Sequence, residues 1–182
     1  MAGDLDAKRL ELLSAVLPPR SAVLLLGDGV TSTQSGPRLR SVALALGVQL
    51  TSAIARTPQD VHDVLSTAKS RGIAGVNVLA SPVLFSLRDQ VIAELSRAGL
   101  PAVFEWGFIA DEGALMGYGP LLDPLYRRLF DQAIGLLRGG KLADYPVEQP
   151  TRFELVINIR TAQAIGVTIP QSLLLRADRI VK

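Results

Sequence analysis

Cysteine is absent from this sequence of 182 residues, and histidine occurs once, at His62. Without cysteine the chain forms no disulfide, no zinc–thiolate centre and no thiol nucleophile. A single histidine argues against histidine-rich metal sites and weakens any serine–histidine–aspartate proposal. His62 lies inside a predicted helix, where a surface or boundary position is expected. We therefore predict no catalytic residue, no metal site and no cofactor.

Strong charge of one sign and long apolar runs are also lacking. Nineteen basic and 17 acidic residues give a formal net charge of +2, and the basic residues are scattered, so nucleic acid is not an expected partner. No apolar run approaches the ~20 residues of a membrane span. The first residues lack the basic and apolar regions of a secretory signal peptide, which predicts a cytoplasmic chain if Met1 is its natural start.

Aromatic residues make up only 5% of the chain, and hydrophobic residues 48%, so aliphatic side chains are expected to fill the core of one globular domain. From Ser21 onward, short apolar runs alternate with helical patterns. This order predicts an α/β fold, namely a Rossmann-like, doubly wound, mostly parallel sheet of about five to six strands with helices on both faces.

Capping residues and prolines predict the helix boundaries. Asp4 or Asp6 is expected to cap the first helix. A loop rich in glycine, serine and threonine is expected over 27–36, with Pro37 opening the second helix. A single helix is expected to span about 82–97.

The junction at 76–85 joins an apolar run to a helical pattern at Ser81 and Pro82. Ser81 can cap the helix, and proline suits the first helical position. A helix that begins at the end of a buried parallel strand directs free N–H groups and a partial positive charge out of the sheet. Ala80, Ser81 and Val83 are therefore candidate contacts for a carboxylate or phosphate, the alternative being an ordinary strand-to-helix turn.

Other candidates follow from the rule that doubly wound sheets bind ligands beyond the carboxyl ends of their strands. The only tryptophan, Trp106, lies at such an end and could form an aromatic wall together with Tyr118, or could simply seal the core at its rim. The rule selects Asp28 and Thr31 after the first strand, Glu105 and Trp106 after the fourth, and Tyr118 and Gly119 after the fifth.

The loop at 27–32 nearly matches the dinucleotide fingerprint G-x-G-x-x-G. Ser32 replaces the third glycine, and Ala55 and Arg56 stand near the place of the acidic residue expected about 20 positions on. A nucleotide-dependent enzyme that uses the Gly27 loop is therefore a third alternative for function. The adjacent acids Asp111 and Glu112 are expected to be solvated.

Stretches along nearly the whole chain combine into one pattern. They are LDAKRLELL at 5–13, GVNVLASPVLFSLR at 75–88, the pair Glu105 and Trp106, LMGYGPLLDPLYRR at 115–128, PVEQPTRFELVINIRT at 146–161, and 166–178. Together they resemble the ABC-transporter substrate-binding family that includes bacterial binders of tryptophan and other aromatic amino acids.

This resemblance implies one lobe of a type I periplasmic-binding-protein fold, with binding of an amino-acid-like, aromatic solute rather than catalysis. It also implies a periplasmic location and an ABC permease as partner. Family members are roughly twice this length, so the chain resembles their second lobe. The implied segments of this single lobe are a lead-in helix at 1–20, a core at 21–119, a crossover helix and linker at 120–150, and a return strand with short helices at 151–182.

The resemblance also implies roles for the candidate site residues. Backbone groups around Ala80 to Val83 would hold a ligand carboxylate, and Trp106 and Tyr118 would flank an apolar side chain. Polar groups near the Gly27 loop would complete the site.

A long amphipathic helix is predicted from Leu121 to Arg138. In the family, this helix packs on the first lobe, so its apolar stripe has lost a partner here. An apolar patch of several hundred Å² is rare on a monomer. We therefore predict a homodimer formed through this helix, and a homodimeric interaction module without transport function is the alternative to solute binding.

Overall fold

The computed structural model describes residues 2–141, 143, 145 and 149–182. Within these residues, seven strands form one sheet in the order β2-β1-β3-β4-β5-β6-β7. Strands β1 to β5 are parallel, β6 is antiparallel to β5, and β7 is parallel to β6. The strands are Ala22–Gly27 (β1), Gln49–Ile54 (β2), Ile73–Val78 (β3), Ala102–Phe104 (β4), Met116–Pro120 (β5), Phe153–Asn158 (β6) and Arg179–Val181 (β7). The predicted α/β class is confirmed, and the short β7 adds an edge strand that the sequence pattern did not indicate.

Helices cover both faces of the sheet, and each face has its own core of mainly aliphatic side chains. They are Ala2–Ser14 (α1), Val30–Leu46 (α2), Pro58–Ala68 (α3), Pro82–Ser86 (α4), Arg88–Ala98 (α5), the 3-10 helix Gly107–Ala110, Leu122–Leu137 (α6), Ile159–Ala164 (α7) and Gln171–Leu174 (α8). Helices α1, α2, α7 and α8 pack on one face, and α3, α4, α5 and the 3-10 helix pack on the other. No helix in the described part of the chain is long and apolar enough to cross a membrane.

The helix boundaries predicted at Pro37 and over 82–97 are wrong. Helix α2 begins at Val30, so Pro37 lies inside it rather than at its start. The start is set by Asp28, whose Oδ1 accepts a hydrogen bond from the Thr31 N–H at 2.8 Å. The single helix expected over 82–97 is divided at Leu87, whose ψ of 6° departs from helical geometry.

A buried ion pair holds α1 against the sheet. Arg9 and Asp6 are 2% and 1% exposed, and Arg9 Nη1 lies 2.6 Å from Asp6 Oδ1. Arg9 Nε donates to the Tyr118 carbonyl at 2.8 Å, and Nη2 donates to the Glu105 carbonyl at 3.3 Å. Asp6 is therefore not the predicted cap: α1 begins at Ala2 and brings Asp6 into the interior.

The remaining acceptors of Asp6 join two further elements. Its Oδ2 accepts a hydrogen bond from Ser35 Oγ of α2 at 2.8 Å, and its carbonyl accepts one from Asn77 Nδ2 of β3 at 3.2 Å. Together with the Arg9 contacts, these bonds fix the positions of β3, β5 and the segment after β4 relative to α1. This matters because the same segments carry predicted site residues.

Helix α6 differs from the other helices in the exposure of its side chains. No side chain of α6, every residue of which the structure describes, is buried. Leu129, Phe130 and Leu137 are 56%, 63% and 88% exposed. The helix thus has the exposed apolar face that the sequence predicts. The linker expected over 141–150 lies partly outside the described residues, since 142, 144 and 146–148 are not among them.

The buried Arg9–Asp6 ion pair predicts that Arg9→Met strongly destabilises the folded protein. The substitution leaves the Asp6 carboxylate buried without its cation, and we expect the free energy of unfolding to fall by about 3–5 kcal/mol. Lys8→Met is the matched control, because the neighbouring Lys8–Glu11 pair is 34% and 42% exposed and should cost less than about 1 kcal/mol. Urea denaturation at neutral pH measures both, and equal costs would contradict the role assigned to Arg9.

Candidate functional site

A cleft of about 430 Å³ lies at the carboxyl edge of the sheet, beside the ends of β3 and β4. Three segments form it: the start of α4, the residues after β4, and the first turns of α6. Its lining residues are Ala80, Ser81, Pro82, Phe85, Glu105, Trp106, Phe108, Leu122 and Tyr126. Four of them are predicted site residues, namely Ala80, Ser81, Glu105 and Trp106. A second cleft of about 410 Å³, between α6 and residues 149–152, contains no predicted site residue.

Glu105 is only 4% exposed, yet it lines the cleft. Burial removes water from its carboxylate and raises the pKa to about 7. The negative charge of Asp6 raises this pKa further, while the backbone N–H of Glu105 and the positive charge of Arg9 lower it. The site therefore contains a carboxyl group whose charge changes near neutral pH.

Aromatic rings form one wall of the cleft. Phe85 and Phe108 meet edge to face, with ring centroids 6.2 Å apart and planes at 81°. The Arg88 guanidinium lies 4.9 Å from the Phe85 ring centroid, and Arg88 Nε bonds to Glu112 at 2.7 Å. Trp106 completes the wall beside Glu105. These contacts hold Phe85 in place without any ligand.

Ser81 is the N-cap of α4, as predicted. Its Oγ accepts hydrogen bonds from the Val83 N–H at 3.1 Å and the Leu84 N–H at 3.3 Å. The Ser81 hydroxyl in turn donates to Asp28 Oδ2 at 2.7 Å. Of the backbone N–H groups expected to hold a ligand carboxylate, that of Val83 is thus already paired within the chain, and Val83 does not line the cleft.

Asp28 and Thr31 form a turn at the start of α2. Asp28 Oδ1 accepts hydrogen bonds from the Thr31 N–H at 2.8 Å and its hydroxyl at 2.9 Å. Although burial pushes the pKa of Asp28 upward, the hydrogen bonds from Thr31 and Ser81 bring it below its usual value. Asp28 connects the loops after β1 and β3, where the strand order reverses. Both residues therefore adjoin the cleft through Ser81 without lining it.

Tyr118 lies on the opposite face of the sheet from Trp106. Its ring stacks on Phe153, with centroids 6.3 Å apart and planes at 23°. Tyr118 packs into the core beneath α1 and α2, whereas Trp106 packs against the core beneath α3, α4 and α5. The structure therefore does not bring together the two aromatic residues expected to flank one ligand.

Gly119 and Gly117 give β5 a bare surface on which the segment after β4 lies. A Cβ on Gly119 would be 1.9 Å from the Glu105 carbonyl oxygen, and a Cβ on Gly117 would be 2.0 Å from that of Trp106. Only glycine permits this approach. Gly119 thus positions the Glu105 backbone and does not line the cleft, and Gly117 is a positioning residue that the sequence reasoning missed.

Five apolar or aromatic lining residues were not among the predicted site residues: Pro82, Phe85, Phe108, Leu122 and Tyr126. Phe85 follows Ser81 by one helical turn, so helical spacing could have indicated it. Phe108 lies two residues after Trp106 in the 3-10 helix. Leu122 and Tyr126 reach the cleft only because α6 leaves β5 in that direction, which no local pattern specifies.

Three titratable residues outside the cleft, Asp111, Glu112 and His62, have charged partners. Asp111 and Glu112, expected to be solvated, form ion pairs with arginines. His62 has a half-exposed side chain, as expected, and its Nδ1 lies 3.0 Å from Glu94 Oε1. Among the described residues, no group of three or more potential ligands could hold a metal ion.

The Gly27 loop departs in shape from a dinucleotide site. Gly29 has a φ of 98°, and a Cβ there would lie 2.4 Å from Arg56 Nη2. Arg56 Nε also donates to the Asp28 carbonyl at 2.7 Å. The guanidinium therefore covers the glycine that would let a pyrophosphate approach the backbone.

No family model and no curated protein match this sequence. Several solved structures match it in fold. The ABC domain from Streptococcus pneumonia in complex with L-Trp matches with a TM-score of 0.81 at 20% identity, covering 97% of this chain and 62% of that one. A conserved domain protein from Vibrio cholerae matches with a TM-score of 0.82 at 20% identity, covering 96% and 60%. The ligand-free, open structure of a substrate binding protein with adhesive properties from Clostridium difficile matches with a TM-score of 0.68 at 19% identity, covering 96% and 59%.

These likenesses confirm the predicted fold, one lobe of the type I periplasmic-binding-protein architecture. The resemblance to substrate-binding proteins is confirmed at the level of the fold. The chain spans about three fifths of the length of the structures that it matches.

The raised pKa of Glu105 predicts how stability depends on pH. The folded state binds this proton more tightly than the unfolded chain, because the pKa is about 7 when folded against an ordinary 4.5. The free energy of unfolding should therefore fall as pH rises from about 4.5 to about 7, by about 3 kcal/mol from this group. Glu105→Gln should lack this contribution and be the more stable protein above pH 7.

Urea denaturation of wild type and Glu105→Gln from about pH 5 to about pH 8 measures this difference. Glu11→Gln, at an exposed position of α1, is the control and should follow the wild-type pH profile. Parallel profiles for wild type and Glu105→Gln would show that the carboxylate is not desolvated as described.

Proposed function

We propose that this chain binds a small, amino-acid-like solute in the Glu105–Trp106 cleft, as a solute-binding lobe of an ABC-type uptake system. The cleft itself carries the proposal. Its lining is mostly apolar and aromatic, with very few polar groups, as is usual in small-molecule sites. A volume of about 430 Å³ falls within the ordinary range of such sites.

Similar structures support this choice of ligand. One of them contains L-Trp, and another is a substrate binding protein. The aromatic wall of Phe85, Phe108 and Trp106 suits an aromatic ligand, because rings prefer edge-to-face or offset contacts with one another. We therefore favour an aromatic solute over an aliphatic one.

In this proposal the chain supplies one wall of a two-lobed site. Residues 21–119 form the core of the lobe, and residues 120–150 would lead to the opposing lobe and back. A ligand held by one wall remains partly in water, so affinity should be weak until a second wall covers it. The proposed partner is an ABC permease, which would place the lobe in the periplasm.

Binding is proposed without catalysis. In the described part of the chain, no nucleophile, base and orienting residue come together, and the similar structures include a domain in complex with L-Trp and a substrate binding protein. A nucleotide-dependent enzyme that uses the Gly27 loop is disfavoured because Ser32 replaces the third glycine of the dinucleotide fingerprint.

Calorimetric titration with L-tryptophan, L-phenylalanine and L-leucine tests the proposal. We expect the aromatic amino acids to bind, and a ligand at 100 times its Kd to add about 2.7 kcal/mol of stability. Trp106→Ala should weaken binding about tenfold, because it removes the aromatic wall beside Glu105. Tyr118→Leu should leave affinity unchanged, because Tyr118 lies across the sheet. If none of the three amino acids binds, the proposal fails.

A homodimeric interaction module is the second candidate function. The observation that favours it is the exposed apolar face of α6, which includes Leu129, Phe130, Ile134 and Leu137. A second copy of this helix would bury such a face, and an isologous contact forms a closed dimer. The two candidates are compatible, since a partner copy could stand opposite the cleft.

Light scattering at micromolar concentration tests the dimer. Wild type should show twice the mass of the chain, and Phe130→Glu should shift the mass to that of a monomer by placing a charge in the contact. Leu44→Glu is the control, because Leu44 is 84% exposed on α2, away from α6. A monomeric wild type would contradict the α6 interface.

A further inference from the structure

The lining of the cleft offers a negative charge and no positive one. Glu105 is the only charged side chain among the lining residues, all of which the structure describes. The nearby Arg9 guanidinium is neutralised by Asp6, 2.6 Å away, and its bond to Glu105 goes to the backbone carbonyl. An ionised Glu105 therefore leaves this part of the protein with one uncompensated negative charge.

The chain does not satisfy this carboxylate by itself. Among the described residues, no side chain donates a hydrogen bond to Glu105, although only 4% of the residue is exposed. A buried carboxylate whose hydrogen-bond donor is only its own backbone N–H group remains unfavourable. A cationic group entering the cleft would supply a further donor and the missing positive charge.

The aromatic wall favours the same kind of group. Ring faces carry negative electrostatic potential and attract ammonium groups within about 6 Å. Trp106 adjoins Glu105 in the lining, so a cation on the carboxylate also lies beside an indole ring. Arg88, the cation over Phe85, is paired with Glu112 and contributes little opposing charge.

No positively charged side chain lines the cleft to hold an anion. The Val83 and Leu84 N–H groups are bonded to Ser81, and Pro82 has no N–H group to offer. A ligand carboxylate placed beside Glu105 would also meet a like charge, which is unfavourable in a desolvated site.

We propose that this lobe selects its ligand by a protonated primary amine, held by the Glu105 carboxylate beside Trp106, and offers no cationic side chain to a ligand carboxylate. This inference rests on the proposed function and names the chemical class that the cleft recognises: amines with an apolar or aromatic body.

Calorimetric titrations at pH 8 with three indole compounds of similar size test whether the cleft prefers a cationic, a neutral or an anionic ligand. The compounds are tryptamine, the neutral alcohol tryptophol, and indole-3-propionate. Tryptamine should bind at least about tenfold more tightly than tryptophol, and indole-3-propionate should bind most weakly. Glu105→Gln should remove the preference for tryptamine while retaining the binding of tryptophol. Glu11→Gln, which removes an equal charge from an exposed position of α1, should keep the preference.

The outcomes distinguish this inference from the proposed function. Equal binding of the three compounds, or a tryptamine preference that survives Glu105→Gln, overturns the amine selection but leaves solute binding standing. Binding of none of the three overturns both. Circular dichroism and the Tm of Glu105→Gln confirm that a changed preference does not come from unfolding.

Discussion

The Arg9–Asp6 ion pair is the interaction on which the geometry of this lobe depends. Each partner is buried, so neither can return to water without exposing the other as an unpaired charge. Their remaining hydrogen bonds go to α2, β3, β5 and the segment after β4. One pair on the first helix therefore fixes several segments that are distant in sequence.

The environment of Glu105 in the candidate site depends on this arrangement. Arg9 holds the Glu105 carbonyl, and the bare surface at Gly119 lets the same backbone lie directly against β5. With its backbone held in this way, Glu105 lines the cleft. The carboxylate is consequently desolvated but not neutralised, because the Arg9 charge is already used by Asp6. Burial of the ionised form of Glu105 therefore lowers the stability of the folded state near and above neutral pH.

The sequence predicted the local features of the site better than their arrangement. The cap at Ser81, the class of the sheet, and the placement of Glu105 and Trp106 after β4 all follow from patterns within a few residues. Tyr118 was assigned to the same wall as Trp106, but the two rings belong to opposite cores. The rule that places ligands beyond the strand ends gives the edge of the sheet and not its face. Asp6 was assigned to a cap because a short acidic residue near a helix start resembles one, and only packing shows that it is buried.

By itself, the sequence determined the α/β class, most of the helix and strand boundaries, and the exposed apolar face of α6. These properties depend on periodicity and capping, which are local. Tertiary structure alone decided that Asp6 and Arg9 are internal, that another backbone segment packs on Gly117 and Gly119, and that the Glu105 carboxylate is buried without a side-chain donor among the described residues. Those properties depend on contacts between residues up to 109 positions apart, and the energies of desolvation and close approach exist only once the chain has folded.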